Sequence, residues 1–376
     1  MTCREVFKYL EEWAPKEIAW QNDNVGLQVG HTNKKVKNIL ISLELTEEVL
    51  KYAVKKNCNL IITHHPLIFH QIKNLNLNAN SNSKLIEQLI KHEITLYSAH
   101  TNLDFAKNGV SFQLAKVLGL KNISFLKNLE SNQFKLIVFV PEKDLEKVAA
   151  AIFNAGGGII GEYSNCSYRS KGEGTFKGSE VSNPAVGIKG VYEKVSEVKL
   201  EVLVDFWKIN EVIKSMLLAH PYEEPAYDIY PLKNKNVNFG VGAIGNFEKL
   251  LTASELMNLV SKKLGNKQIK FVQGASRKIR KVAVCGGSGS DLLEEAINKN
   301  ADALITADIK YHTFHTAFKK IWLIDAGHYE TEKPILDILQ KKLTELLQVN
   351  TNIKVIKFNG NTNPIKIYNK LRSHKN

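Results

Sequence analysis

Apolar and polar positions divide this chain into short buried runs and amphipathic stretches. Residues 4 to 14 have helical spacing that ends before Pro15, and Trp20 to Gly30 has turn chemistry feeding a short strand. Val36 to Leu43 predicts a strand, Thr46 to Lys56 a helix, and Asn59 to Thr63 a second strand. An Asn-rich loop, Asn74 to Asn82, precedes a helix over Ser83 to His92, and a further strand begins at Ile94 and runs into His100. The order β-α-β-α-β predicts a mostly parallel sheet with helices on its faces.

From about Gln133 to Leu232 the pattern changes. Strands are predicted over Phe134 to Val140, Gly161 to Arg169, Gly172 to Lys177, Val198 to Phe206 and Ala226 to Tyr230. Helices are predicted over Asp144 to Asn154 and Ile209 to His220. Two β-α-β halves in that order predict a small ferredoxin-like domain. A Gly-rich stretch, Gly240 to Gly245, leads back out.

The final third repeats the first. Displaced by 243 positions, Val36 to Thr63 lies over Ile279 to Thr306, strand on strand and helix on helix. Ala99-His100-Thr101-Asn102-Leu103-Asp104 has its counterpart in Gly327-His328-Tyr329-Glu330-Thr331-Glu332. Each ends a strand with a small residue, a histidine, and a carboxylate four positions later, which an internal duplication explains. The expected organisation is therefore a duplicated, discontinuous, mostly parallel α/β core, with residues 1–130 as its first half and 236–376 as its second. Residues 131–235 form the ferredoxin-like insertion.

Composition narrows the function classes. The chain has 376 residues with 51 Lys and Arg against 38 Asp and Glu, a net charge of +13 and a pI near 9.3. Many of the lysines fall on helix faces, the pattern of a solvated surface, so DNA is not the expected partner; a nucleotide or another small anion remains open. The four cysteines are scattered without a C-x-x-C pair, which argues against a zinc ribbon or a disulfide framework and for a reducing compartment. No apolar run reaches the length of a membrane span and the N-terminal residues show no signal peptide, so a cytoplasmic protein without membrane contact is expected.

The candidate chemistry begins at Leu60 to Pro66, an apolar run ending in His64 and His65, with Pro66 stopping the strand. Adjacent strand residues point to opposite faces, so the pair suits two neighbouring ions better than one unless the chain turns at the strand end. If the duplicated halves face each other, His64, His65 and Asp104 meet His328 and Glu332. That is a mixed N/O set for two divalent ions such as zinc, manganese or iron. His312 and His315 should border the same cleft as partners of the ligands or proton carriers, and His100, the mate of His328, should orient a ligand or carry protons. Asp325 is placed to orient an imidazole. Cys285 to Ser290 opens a helix after a strand, as a phosphate-binding turn does, or is simply a tight turn. His220-Pro221-Tyr222-Glu223-Glu224-Pro225 reads as a rigid loop.

Thr63-His64-His65-Pro66-Leu67-Ile68-Phe69, Ala99 to Asp104, Asp308-Ile309-Lys310-Tyr311-His312, Gly327 to Glu332 and Asp23-Asn24-Val25-Gly26-Leu27 together resemble the signature segments of the Nif-three-like family, also called GTP cyclohydrolase 1 type 2 homologues. The resemblance spans the whole chain. It implies a dinuclear metal centre on His64, His65, Asp104, His328 and Glu332, a homohexameric toroid, and a central domain similar to the CutA or PII proteins. Two departures stand out: Glu44 where the family usually has aspartate, and Ala307 where it has glycine.

Two functions follow from the resemblance. One is a metal-dependent hydrolase that opens the guanine imidazole ring of GTP with a metal-activated water, releasing formate, with His100, His312 or His315 moving protons. The other is a non-enzymatic metal-binding or regulatory ring whose inserted domain senses a ligand.

Overall fold

The computed structural model describes residues 1–78, 81–347 and 352–367, and the chain divides into two compact units. The first is discontinuous, Met1–Lys127 with Phe239–Asn376, and the second is Asn128–Asn238.

In the first unit, α1 (Cys3–Trp13) starts at a capping box: the Thr2 hydroxyl accepts from the Glu5 amide while the Glu5 carboxylate accepts from the Thr2 amide. β1 (Gly26–Val29), β2 (Asn38–Ser42), α2 (Glu47–Lys55), β3 (Leu60–Thr63), α3 (Ser81–Lys91) and β4 (Thr95–Ser98) follow. Of the Asn-rich loop expected before α3, residues 79 and 80 lie outside the described residues. α4 (Thr101–Phe105), α5 (Val110–Leu118) and β5 (Lys121–Asn128) complete the first half. The sequence pattern shows none of these three. α4 is only five residues long, and α5 is buried over most of its surface and has little polar face to set a period.

The second unit runs β6 (Gln133–Pro141), α6 (Leu145–Asn154), β7 (Ser167–Lys177), β8 (Tyr192–Asp205), α7 (Ile209–Ala219) and β9 (Tyr227–Pro231). Its sheet is antiparallel in the order β7-β8-β6-β9, with α6 and α7 packed against Leu136, Val138, Leu200 and Val202. The strand expected over Gly161 to Arg169 is corrected. Gly161 and Asn165 take positive φ, and a bridge between Ile160 and Tyr163 closes a turn, so the strand begins at Ser167 and continues through Gly172.

Back in the first unit come β10 (Gly240–Leu251), α8 (Ala253–Leu264), β11 (Lys270–Val272), β12 (Ile279–Ser288), α9 (Leu293–Asn298) and β13 (Ala303–Ala307). α10 (Tyr311–Ala317), β14 (Trp322–Asp325), α11 (His328–Glu332), α12 (Ile335–Leu347) and β15 (Lys354–Lys357) end the described fold. The Gly-rich lead-out is itself the strand β10. A Cβ on Gly240 would stand 2.6 Å from the Lys127 carbonyl oxygen, so glycine lets β10 lie close against β5.

The sheets carry the duplication down to register. β2 pairs in parallel with β3, Ile39 opposite Leu60 and Ile41 opposite Ile62; β12 pairs in parallel with β13, Val282 opposite Ala303 and Val284 opposite Ile305. These are the residues that the displacement of 243 superposes. The sheet orders, β1-β4-β3-β2-β15 and β11-β14-β13-β12-β10-β5, each place an antiparallel strand, β1 or β11, at the edge of the corresponding parallel trios β4-β3-β2 and β14-β13-β12, and β15 adds a fourth parallel strand to the first. The halves also exchange elements. α12, from the second half, packs Ile335, Leu339 and Leu343 against Ile39, Ile41 and Ile62, while α5, from the first, packs Leu114 and Leu118 against Val282 and Ile305. Each fully buried side chain of this kind contributes about 1.5–3 kcal/mol relative to exposure, so neither sheet is complete without the other half's helix. Both faces of each sheet are covered, which is why the strands read as continuous apolar runs.

Candidate metal centre

His64 and His65 lie just past the end of β3. The Thr63 hydroxyl lies 2.8 Å from the His65 carbonyl and 2.8 Å from Ser98 Oγ, and the His64 and His65 amides both donate to the Leu43 carbonyl, at 3.1 and 2.9 Å. The chain therefore turns as soon as the strand ends. Two rings that strand geometry would send to opposite faces meet with centroids 4.9 Å apart. His100 caps α4 with Asp104 one turn on, and His328 opens α11 with Glu332 one turn on, so each half presents a histidine and a carboxylate on one helix face.

Glu332 joins the halves. Its Oε2 stands 3.0 Å from His65 Nε2, and its Oε1 stands 2.9 Å from His328 Nε2 and 3.7 Å from His64 Nε2. His64 Nε2 also faces Asp104 Oδ1 at 3.6 Å. Ring nitrogens of His64, His65 and His100 cluster within 4.8 Å of one another, as do donor atoms of His65, His328 and Glu332. His100 thus stands among the donors and not behind them.

All four rings are oriented in the same way. Nδ1 lies 2.8 Å from the Ala99 carbonyl in His64, 3.0 Å from Glu44 in His65, 2.9 Å from Asp23 in His100 and 2.5 Å from Asp308 in His328. Each acceptor draws the ring proton to Nδ1 and leaves the Nε2 lone pair toward the centre, the arrangement by which proteins set imidazole ligands. His64 is fully buried and Glu332 nearly so. His64 Nε2, Asp104 Oδ1 and Glu332 Oε2 are buried atoms without a well-aligned hydrogen-bond partner. Orphaned polar atoms converging in this way cost stability unless something joins them, and four imidazoles with two carboxylates fit a divalent cation.

The charges agree. Burial alone would lower His65, but Glu332 and Glu44 lift it to about 10; the Glu332 hydrogen bond, against burial and with help from Asp308, lifts His328 to about 9. Burial lifts Asp104 to about 7 despite the opposing His64, with Glu332 adding to the rise. Burial would also raise Glu332, yet the imidazoles of His64, His328 and His65 hold it well below the ordinary carboxylate range. Without metal, protons on the rings balance Glu332, and an entering cation displaces them.

The centre opens into a cleft of about 530 Å³. Trp20 and Phe69, 57 % and 50 % exposed, stand on its wall, and Lys310, Ser288 and Ser290 also line it. His312 and His315 are not among the lining residues. They lie exposed on α10, with ring centroids 5.6 and 4.7 Å from that of Tyr311, so the structure does not bring them to the donors. Asp325 accepts from the Ile309 and Gly327 amides instead of orienting an imidazole.

The Gly286-Gly287 segment is neither a phosphate-binding turn nor a tight turn: it lies within β12, where the pairing with β13 is irregular between Val284 and Ser288. The Gly286 amide donates to Ser111 Oγ and the Gly287 amide to Thr331 Oγ1, so neither is left for an anion. Gly287, at φ +62°, makes room for the centre, since a Cβ there would stand 2.3 Å from Glu332 Oε1. His220 donates from Nε2 to the Phe139 carbonyl and accepts from the Tyr222 amide, bracing its loop. Residue patterning missed the orienting roles of Asp23 and Glu44. Their signal was only that each is an acid at a turn or strand end in the first half.

Comparison with known proteins agrees with the fold. The family described as Duf34/NIF3 (NGG1p interacting factor 3) matches residues 1–364. A GTP cyclohydrolase 1 type 2 homologue of Halalkalibacterium halodurans is 39% identical over 345 residues, 91% of this chain and 92% of its own length. One from Bacillus subtilis is 38% identical over 345 residues, with the same coverage. The crystal structure of a Bacillus cereus protein related to NIF3 is 38% identical and superposes with a TM-score of 0.86 over 98% of this chain and 99% of that one. Since the match runs through both halves of the core and the segments that carry the donors, this chain belongs to the DUF34/NIF3 family.

Proposed function

We propose that this protein is a dinuclear metal-dependent hydrolase acting on GTP or a related nucleotide, with the ions held by His64, His65, His100, Asp104, His328 and Glu332. The carrying observation is the pair of orphaned buried atoms on His64 and Asp104, beside the Glu332 carboxylate, at the floor of an open cleft. Two ions bound there would polarise substrate and lower the pKa of a water toward about 7. The chain supplies the rest. Asp23, Glu44 and Asp308 keep the proton of His100, His65 and His328 on Nδ1. Trp20 and Phe69 offer faces against which a planar base can lie, and Lys310 with Ser288 and Ser290 offers a cation and hydroxyls to phosphate oxygens. His100 serves here as a ligand, because its ring nitrogen sits with those of His64 and His65.

The relatives' name, GTP cyclohydrolase 1 type 2 homologue, supports hydrolytic opening of the guanine imidazole ring with loss of formate. Zinc, manganese and iron all suit the donor set. The homohexameric toroid and the CutA or PII likeness of the inserted unit rest on the family resemblance, the latter helped by its β-α-β-β-α-β order. Four cysteines without a disulfide support a cytoplasmic setting, and among the described residues no helix is long and apolar enough to cross a membrane.

Incubating the metal-loaded protein with GTP and measuring formate tests the reading. Formate release that chelation abolishes is the expected result. Full metal occupancy with every nucleotide inert overturns it in favour of a metal-binding regulatory protein. One observation favours that second reading: the inserted unit has a cavity of about 220 Å³ lined by Phe139, Phe176, Glu197 and Tyr222, of a kind that could receive a small effector.

A further inference from the structure

Both carboxylate oxygens of Glu44 are engaged. Oε1 accepts from His65 Nδ1 at 3.0 Å, and Oε2 accepts from the hydroxyl of Thr362, 318 residues away in sequence. Thr362 belongs to the stretch after β15, which lies parallel to β2 with Lys354 opposite Asn38 and Lys357 opposite Ile41. The Phe358 amide extends that ladder to the Ile41 carbonyl at 2.9 Å, and the Phe358 ring meets Tyr52 edge-on with centroids 5.4 Å apart. Beyond Thr362, the Asn363 side chain donates to Glu330 Oε1 at 3.1 Å, and Asn363 Oδ1 accepts from the Ile365 amide at 2.9 Å. The segment is thus anchored on both sides of Thr362, on the first sheet before it and on α11 after it.

We propose that Thr362 is a positioning residue of the metal centre, setting His65 through Glu44. The inference rests on the metal reading above. A glutamate has one more rotatable bond than aspartate and can swing away from an imidazole unless its far oxygen is held. Held by Thr362, it presents Oε1 to Nδ1 and keeps the His65 proton there. Released, it no longer fixes the rotation of the ring, so Nε2, which stands 3.0 Å from Glu332 Oε2, is no longer held where a cation would meet both groups. The longer acid is what allows one carboxylate to span His65 and a hydroxyl of the C-terminal segment.

The test is a chelator-competition titration with zinc on the wild type and on Thr362→Val, Thr362→Ser and Asn363→Ala, with the melting temperature of each metal-free protein recorded alongside. Thr362→Val is expected to weaken zinc by about 10-fold, the low end of the cost of losing a group bonded to a ligand, since Glu44 itself remains. Thr362→Ser should restore wild-type affinity, and Asn363→Ala, which removes one anchor of the segment but keeps the hydroxyl, should weaken zinc less than Thr362→Val does. If the valine variant does not fold, Thr362→Ala removes the hydroxyl without bulk and carries the same expectation. Zinc bound equally tightly without the hydroxyl overturns the inference alone, as does an equal loss in Asn363→Ala. A wild type that takes up no zinc overturns the metal reading and this inference with it.

Discussion

Glu332 Oε2 lies 3.0 Å from His65 Nε2, so a carboxylate from the second half of the core closes on an imidazole from the first. Its other oxygen faces His328 at 2.9 Å. Glu332 is therefore the group through which both halves share one centre. The wild type should purify or reconstitute with about two transition-metal equivalents per chain, and Glu332→Gln should lose occupancy of both. Elemental analysis decides it. A wild type that saturates at about one equivalent removes the dinuclear arrangement.

Gly287 and Gly265 both adopt positive φ, at +62° and +73°, but only Gly287 faces the centre. Gly265→Ala should cost about 1–2 kcal/mol for the left-handed backbone and leave metal uptake unchanged, since a Cβ there meets nothing within 4 Å. Gly287→Ala should carry the same backbone cost and also displace Glu332, lowering metal content. Denaturation midpoints and elemental analysis on the two variants separate the effects. Equal metal content in both would show that Glu332 tolerates the added methyl.

The discontinuous unit should stand alone. β5 and β10 are neighbours in one sheet, and Gly240 presses against the Lys127 carbonyl, so the cut ends left by removing residues 128–238 lie side by side. A short flexible linker should then give a folded, metal-binding core, because the buried clusters around α5 and α12 use no residue of the excised segment. Circular dichroism and metal titration check this; an aggregated or metal-free product would mean the excised unit is needed for folding.

Asp23 supplies a pH dependence. Burial pushes its carboxyl up, but hydrogen bonds from His100 and Thr101 outweigh that and hold it at about 2. A carboxylate depressed in the folded state stabilises fully above its unfolded value of about 3.9, and that stabilisation is lost as pH falls toward the folded value. Asp23→Asn should therefore cost the metal-free protein on the order of 2 kcal/mol at neutral pH. The difference from wild type should shrink as the pH falls below about 4. Urea denaturation at several pH values gives both numbers, and a difference that does not change with pH would assign the loss to packing alone.

Much of this was legible in the residues. The buried strands β2, β3, β12 and β13 announced themselves as apolar runs, and the displacement of 243 positions anticipated their register pair by pair. His64, His65, Asp104, His328 and Glu332 stood out because histidines and carboxylates recur at matching strand ends, a pattern that local spacing alone can carry. The resemblance to a known family rested on the same segments.

What only the tertiary structure decided is which groups stand behind the donors. Asp23, Glu44 and Asp308 reach imidazoles 77, 21 and 20 residues away, and Thr362 reaches Glu44 across 318. His100, read from the sequence as orienting a ligand or carrying protons, stands among the donors, while His312 and His315, equally histidine and equally near a motif, lie exposed on α10 and do not line the cleft. Helical and strand periods report which face of an element is buried. They say nothing of the direction a ring takes once the chain turns, because that is set by hydrogen bonds to residues that only folding brings near.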